Sequence, residues 1–227
     1  MVESKAKTFL GIVVNQTGAW RNHIHGYTER TRDGDVEKSG LLKKLSQRVG
    51  ILSKVRKYMT SERFGVICNG LFNSKLIYGI SVWGGMWNLP GVLDDDRRNS
   101  PTLSKEDNRQ LQVLQNKICR LRTGLPFDTR VSTLLANAKQ LSVQQLTAYH
   151  SVLQVFKSYK TKQPKYIYDR LFPEGEINEK DQRISRSITE NLIRVEGDLS
   201  LTRSSFMYRA SKIWNALSAD IRNKQSI

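Results

Sequence analysis

The stretch Leu41-Leu-Lys-Lys-Leu-Ser-Gln-Arg-Val-Gly-Ile-Leu-Ser-Lys-Val-Arg-Lys-Tyr-Met59 decides the fold class of this chain. Leu42, Leu45, Val49, Leu52, Val55 and Met59 recur three or four positions apart, the spacing that lays one apolar stripe along an α-helix. Successive helical residues turn by about 100°, so Lys43, Lys54 and Lys57 fall opposite the stripe and Lys44 and Arg48 on its flank. The segment therefore predicts an amphipathic, basic helix. Gly50 weakens it by about 1 kcal/mol relative to alanine, a cost that burial of the stripe exceeds.

Toward the C-terminus the same period returns. Thr60 can cap a second helix with Glu62 in its first turn. Phe64, Ile67, Leu71, Phe72, Leu76, Ile77, Ile80 and Trp83 then make residues 64–83 apolar on most sides, as one helix at the centre of a core would be. Cys68 within it reads as a small buried apolar residue. Ser104-Lys-Glu-Asp107 has the form of a capping box, and Leu111, Leu114, Ile118 and Leu121 continue it as an amphipathic helix that Gly124 and Pro126 end. Lys117, Arg120 and Arg122 ride on that helix. A short helix is expected over 131–138, and a second capping box, Ser142-Val-Gln-Gln145, opens a helix whose stripe is Leu146, Tyr149, Leu153 and Phe156. His150, isolated on it, reads as a structural histidine. Residues 161–200 are polar and mixed in charge, with apolar pieces at 166–172 and 188–195, and read as partly ordered connection. Ser204 or Ser205 caps a last helix with Phe206, Ala210, Ile213 and Leu217 on its stripe and Trp214 extending it.

Toward the N-terminus, Lys7-Thr-Phe-Leu-Gly-Ile-Val-Val-Asn-Gln-Thr-Gly-Ala-Trp20 has a β-branched run followed by Asn15, Gln16 and Gly18, which reads as a strand, a turn and a second short strand. An isolated hairpin is only marginally stable in water. This one must lean on the helices that follow or on a partner sheet outside the chain. A polar stretch with Asp33-Gly34-Asp35 comes next. The fold expected is mainly α: an amphipathic helix bundle with a short N-terminal β-hairpin. Three segments are expected, 1–37, 38–160 with a long loop at 84–103, and 161–227.

Charge restricts the partners. The 227 residues carry 37 Lys and Arg against 21 Asp and Glu, a net +16, which points to polyanions. The excess is uneven: +7 over residues 1–60, zero over 61–110, +8 over 111–170 and +1 over 171–227. Two basic blocks flanking a neutral one suit a groove that tracks a phosphate backbone better than a uniformly solvated surface. Cys68 and Cys119 stand far apart without neighbouring Cys or His, so neither a disulfide framework nor a zinc site is expected. Asp94-Asp95-Asp96 lies in a Gly/Pro-rich stretch without calcium-loop spacing and reads as a solvated run, so no metal and no cofactor are expected. No run approaches the roughly 18 to 20 apolar residues that span a bilayer, and residues 1–10 lack a signal peptide's apolar core, so the expected setting is cytoplasmic or nuclear.

Several pieces fall in a family order. Phe9-Leu-Gly-Ile12 with Trp20 and His23-Ile24 resembles the segment just after the palm of non-LTR (LINE-type, jockey-like) retrotransposon reverse transcriptases. Leu41-Leu-Lys-Lys-Leu45, Leu76-Ile-Tyr-Gly79 and Val82-Trp-Gly84 are similar to that family's thumb helices. Leu111-Gln-Val-Leu-Gln-Asn-Lys-Ile-Cys-Arg120, Thr123-Gly-Leu-Pro126 and Leu141-Ser-Val-Gln-Gln145 resemble the helices that follow. Ser205-Phe-Met-Tyr-Arg-Ala-Ser-Lys-Ile-Trp-Asn215 with Asp220-Ile-Arg222 resembles the family's terminal signature. The resemblance spans nearly the whole chain. It departs at Ser218, where the family usually has proline, in a longer and more acidic 84–103 loop, and in residues 33–38, which have the character of an insertion.

The resemblance implies that Phe9, Leu10 and Gly11 form a primer-grip-like tip. Polymerases of this kind hold two metal ions on palm aspartates, one on a strand and a pair in a Tyr-x-Asp-Asp hairpin. No such hairpin motif occurs here, so the chain alone is expected to be catalytically inactive, without catalytic residues or a small-molecule substrate. The expectation is a thumb and C-terminal region that contacts RNA or an RNA/DNA hybrid through backbone phosphates, using Lys43, Lys44, Arg48, Lys54, Lys57, Lys117, Arg120, Arg122, Arg209 and Lys212. Two other readings stand beside it. One is a helical module that complements a separately encoded reverse-transcriptase palm through the hairpin. The other is a retroelement relic without a retained role.

Overall fold

The computed structural model describes residues 6–15, 20–32, 34–84, 103–172 and 206–222. The chain is mainly α, as the apolar period predicts. Strands β1 (Ala6–Phe9) and β2 (Ile12–Asn15) pair antiparallel, followed by helix α1 (Arg21–His25) and a second antiparallel pair, β3 (Gly26–Thr31) and β4 (Gly34–Ser39). Helix α2 (Leu41–Val55) ends in a 3-10 turn at Arg56–Tyr58. Helices α3 (Ser61–Cys68), α4 (Ser74–Ile77), α5 (Ile80–Trp83), α6 (Lys105–Thr123), α7 (Val131–Asn137), α8 (Val143–Thr161) and α9 (Lys165–Leu171) follow, then α10 (Phe206–Ala216) and α11 (Ala219–Arg222).

Two compact units divide these elements, one of residues 1–85 with 101–147, the other of 86–100 with 148–227. In the first, Leu41, Leu45 and Leu52 of α2 meet Leu111 and Ile118 of α6 around Phe64, Phe72 and Trp83, which are fully buried. Each such ring contributes roughly 1.5 to 3 kcal/mol by leaving water. Cys119 joins Leu134 and Leu135 of α7 in a smaller cluster. In the second unit, Val155 and Phe156 of α8 pack with Leu171, Ala210 and Trp214, while Tyr159, Phe172 and Trp214 form an aromatic group with ring centroids 5.2 to 6.4 Å apart. Helix α8 thus supplies Val143 and Leu146 to the first core and Val155 and Phe156 to the second.

The helix ends follow their sequence signals unevenly. Ser142 and Gln145 close a full capping box: Gln145 N–H donates to Ser142 Oγ at 3.2 Å and Ser142 N–H to Gln145 Oε1 at 2.9 Å. Ser104 Oγ likewise accepts Asp107 N–H at 3.0 Å. The Asp107 carboxylate turns to a different partner, and its Oδ1 lies 2.6 Å from Nε2 of His25. Thr60 occupies the N-cap position of α3 with extended backbone, but its side chain makes no cap hydrogen bond. Gly124 ends α6 at φ 73°, its N–H donating to Arg120 O at 2.8 Å.

Three expectations change. The first hairpin turns at Leu10 and Gly11, ahead of Asn15: φ is 47° and 79° there, the paired positive values a two-residue hairpin turn demands, and Gly11 meets them without strain. The polar stretch around Asp35 is a second hairpin. The single helix expected over 64–83 is interrupted, first by a π-type turn at Asn69–Asn73 and then at Tyr78 and Gly79, where Tyr78 is extended and Gly79 takes φ 65°. The apolar piece at 166–172 corresponds to α9, while 188–195, Ser204, Ser205 and the aspartates at 94–96 lie outside the described residues. Among the described residues no helix is long and apolar enough to cross a membrane.

Candidate nucleic-acid interface

The break at Tyr78 and Gly79 is where the first hairpin docks. Ile12 packs against the helical core, and a Cβ built on Gly79 would stand 2.5 Å from Ile12 Cδ1, closer than side chains come. A continuing helix, or any side chain at this position, would push the hairpin away. Tyr78 instead donates its hydroxyl to the Leu10 carbonyl at 2.7 Å, and Trp83 Nε1 donates to the Tyr78 carbonyl at 2.8 Å. The helices that follow the hairpin thus provide the support that its marginal stability requires.

His23 completes the joint. Its Nδ1 accepts Val13 N–H at 3.3 Å, and its ring packs on Trp83 with centroids 5.6 Å apart. Burial, with the charges of Lys75 and Lys44, holds its pKa down to about 4. The imidazole is therefore neutral near pH 7, and neutrality is what lets Nδ1 accept.

The same cations collect beside the docked hairpin. Lys44 and Arg48 come from α2 and Lys75 from α4; burial, then the charges of Lys44 and Arg48, lower the Lys75 pKa. Arg48 also donates to the Leu71 carbonyl in the π-type turn. Lys75 sits 5.8 Å from the centroid of Tyr78, whose hydroxyl holds the hairpin tip. Among the described residues no carboxylate lies within 4 Å of Lys44, Arg48 or Lys75. At the tip, Phe9 is 70% and Leu10 73% exposed. Leu10 holds a left-handed φ without being glycine, a strain of order 1 kcal/mol, and the Tyr78 hydroxyl on its carbonyl fixes that geometry. A fixed apolar tip beside an unneutralised cationic face is suited to a ligand with stacked rings and phosphates.

The remaining expected contacts are not drawn into this face. Lys43 pairs with Glu37 at 3.1 Å and lines an open groove with Leu42, Ser46, Arg109, Val113 and Leu114. Lys54, Lys57 and Lys117 are exposed, Lys57 resting 4.8 Å from the centroid of Tyr58. Arg120 donates to the Phe127 carbonyl at 2.9 Å and stacks on its ring at 4.9 Å, and Arg122 lies against Gly65. In the second unit Lys212 stacks 5.9 Å from Tyr208. Arg209 corrects the expectation: it is 3% exposed, and burial pushes its pKa down to about 10, so it is a guanidinium of the core and offers no surface to a phosphate. Its position gave the signal, since Arg209 falls one helical turn before Ile213, on the stripe side.

Sequence reasoning missed Lys75 and Tyr78, hidden inside an apolar run, and Arg56. Arg56 is a tie between elements. Its guanidinium donates to Leu121 O at 2.7 Å, Met59 O at 2.9 Å and Ser61 Oγ at 3.0 Å, and covers the Phe64 ring at 5.3 Å.

The thiols are buried as expected of small apolar residues. Burial raises both pKa values, that of Cys119 to about 11. His150 is half-buried on α8, its ring edge-on to Tyr149 with centroids 5.3 Å apart, and burial lowers its pKa. Among the described residues no group of three His, Cys, Asp or Glu side chains is placed to hold a metal. No family model, curated protein or solved structure matches the chain.

Proposed function

We propose that this chain is a non-catalytic, nucleic-acid-holding region of a retrotransposon reverse transcriptase, equivalent to its thumb and C-terminal part, and that it grips RNA or an RNA/DNA hybrid through backbone phosphates. One observation carries the reading: Lys44, Arg48 and Lys75 come together from two helices without a carboxylate within 4 Å among the described residues, and Lys75 lies 5.8 Å from the ring of Tyr78, whose hydroxyl holds the exposed tip of Phe9 and Leu10. Phosphates supply the missing counter-charge, and the tip supplies an apolar surface for a sugar or base. The family order of motifs supports the same assignment.

The test is binding of a labelled RNA/DNA hybrid by the full chain, followed by anisotropy between 50 and 200 mM salt. Affinity is expected to fall steeply with salt. Lys44→Glu with Arg48→Glu is expected to weaken binding to all sequences alike and to flatten the salt slope by about 0.9 for each phosphate no longer neutralised. Salt-insensitive binding, or none at low salt, overturns the proposal. So does primer extension by the purified chain with magnesium or manganese.

The exposed tip favours a second reading, a module that complements a separately encoded palm through Phe9 and Leu10. Co-purification with a palm fragment, abolished by Phe9→Asp, would select it.

A further inference from the structure

At the other end of α2 a different surface is built. The 3-10 turn leaves the Tyr58 ring 76% exposed with Lys57 on it, and the loop after α6 leaves the Phe127 ring 86% exposed with Arg120 on it. Arg56 ties the segments that carry them. Its Nε–H reaches the Leu121 carbonyl near the end of α6, so the bond joins a residue two positions before Tyr58 to a residue one position after Arg120. Exposed aromatic rings cost solvation, and each of these is kept open by a cation on its ring without being covered by protein. Lys54 precedes Lys57 by one helical turn and Lys117 precedes Arg120 by one turn, which adds two exposed cations to the same end. Glu62 and Asp128 are the nearby carboxylates in sequence, and among the described residues neither forms an ion pair.

We infer that this end of the first unit is a stacking platform for single-stranded nucleic acid: Tyr58 and Phe127 take unpaired bases, and Lys54, Lys57, Lys117 and Arg120 take the phosphates between them. Rings spaced among cations suit an unpaired strand, whose bases are free to stack, rather than a duplex, whose bases are already stacked. The platform is distinct from the face formed by Lys44, Arg48 and Lys75, since Lys44 and Lys57 are thirteen residues apart, about 20 Å along a helix. The inference extends the nucleic-acid reading above and can fail separately from it.

The experiment uses the full chain, a labelled uridine 12-mer and a blunt RNA/DNA hybrid of the same length. Tyr58→Ala with Phe127→Ala is expected to weaken the single strand by roughly tenfold or more and the hybrid by less than threefold. Lys44→Glu with Arg48→Glu is expected to show the reverse preference. Both rings are exposed, so the double variant should melt like the parent. A Phe127→Trp variant supplies an independent signal: its fluorescence should be quenched by the single strand. Unchanged single-strand affinity in the double alanine variant, or no quenching in Phe127→Trp, overturns the platform and leaves the Lys44 face standing. Reduced single-strand affinity in the double alanine variant alongside an unaffected charge-reversal variant keeps the platform and removes that face. Absence of all binding at low salt removes both. Weaker self-association in the alanine variant, with RNA affinity intact, would make the rings a protein contact and overturn the inference.

Discussion

Hairpin β1–β2 meets the helices through Ile12, His23 and the Tyr78 hydroxyl, whereas hairpin β3–β4 is exposed at most positions and carries its cross-links as surface ion pairs. In the second hairpin Arg30 faces Asp35 at 3.8 Å and Lys38 reaches Glu29 diagonally at 3.5 Å. Pairs in water gain little, because solvent and salt screen them and ordering two long side chains costs entropy. Contacts of the first hairpin at Ile12, Val13 and His23 are partly or wholly buried, so a missing atom there leaves a gap or an unpaired donor. Equal secondary structure therefore hides unequal stability: the first hairpin is held by the core, the second by its own backbone ladder.

Removing the wall against which the first hairpin rests should have the largest effect. Trp83→Ala is expected to cost about 3 to 5 kcal/mol, read from urea unfolding, because the ring is fully buried and carries both His23 and the hydrogen bond to Tyr78. Acidification comes next. With the folded-state pKa of His23 at about 4 against an ordinary 6.5, the unfolded chain takes up a proton between those values and the folded one does not. Stability is then complete above about pH 6.5 and falls by up to roughly 3 kcal/mol by pH 4, at about 1.4 kcal/mol per unit. His23→Gln should flatten that dependence; an unchanged pH profile would remove His23 from the joint.

Gly79→Ala should cost about 1 to 3 kcal/mol, from positive φ and the clash with Ile12, and should speed amide exchange in β1–β2 while sparing β3–β4. The smallest change belongs to the second hairpin. Glu29→Gln with Asp35→Asn should shift stability by less than about 1 kcal/mol at low salt and by less still at 1 M, as thermal melts would show. A larger effect there than in Gly79→Ala would reverse the comparison.

The sequence made these regions legible to different degrees, for physical reasons. Helices α2 and α6 announce themselves because they are amphipathic: Leu45 and Leu52, or Leu111 and Ile118, alternate with charge at helical period. The break at Gly79 is invisible to periodicity, since a run that is apolar on most sides carries no phase to interrupt. Gly79 itself, within a family-like Leu-Ile-Tyr-Gly motif, was the available sign. Hairpin β3–β4 lacks the alternation that marks a half-buried strand because none of its described residues is buried, and only the Asp33-Gly34 pair hinted at a turn. The candidate site was half legible. Charge counting found Lys44 and Arg48 on α2 but not Lys75, whose partners come from a helix thirty residues away in sequence.

The hydrogen bond that diverts Asp107 from its capping box to His25 joins residues 82 positions apart. A ribosome adds about 5 to 20 residues per second, so roughly 4 to 16 seconds separate the synthesis of the two partners. Tyr78 and Leu10 are separated by 68 positions and Arg56 and Leu121 by 65, so each long-range tie waits seconds for its second half. During that interval the first hairpin and α1 exist without the surface that buries them. Until residues 78–83 emerge, Ile12 and His23, which the finished fold packs against the helical core and Trp83, stand open to water, so the inner side of the hairpin, unlike its permanently exposed tip, is bare only during synthesis.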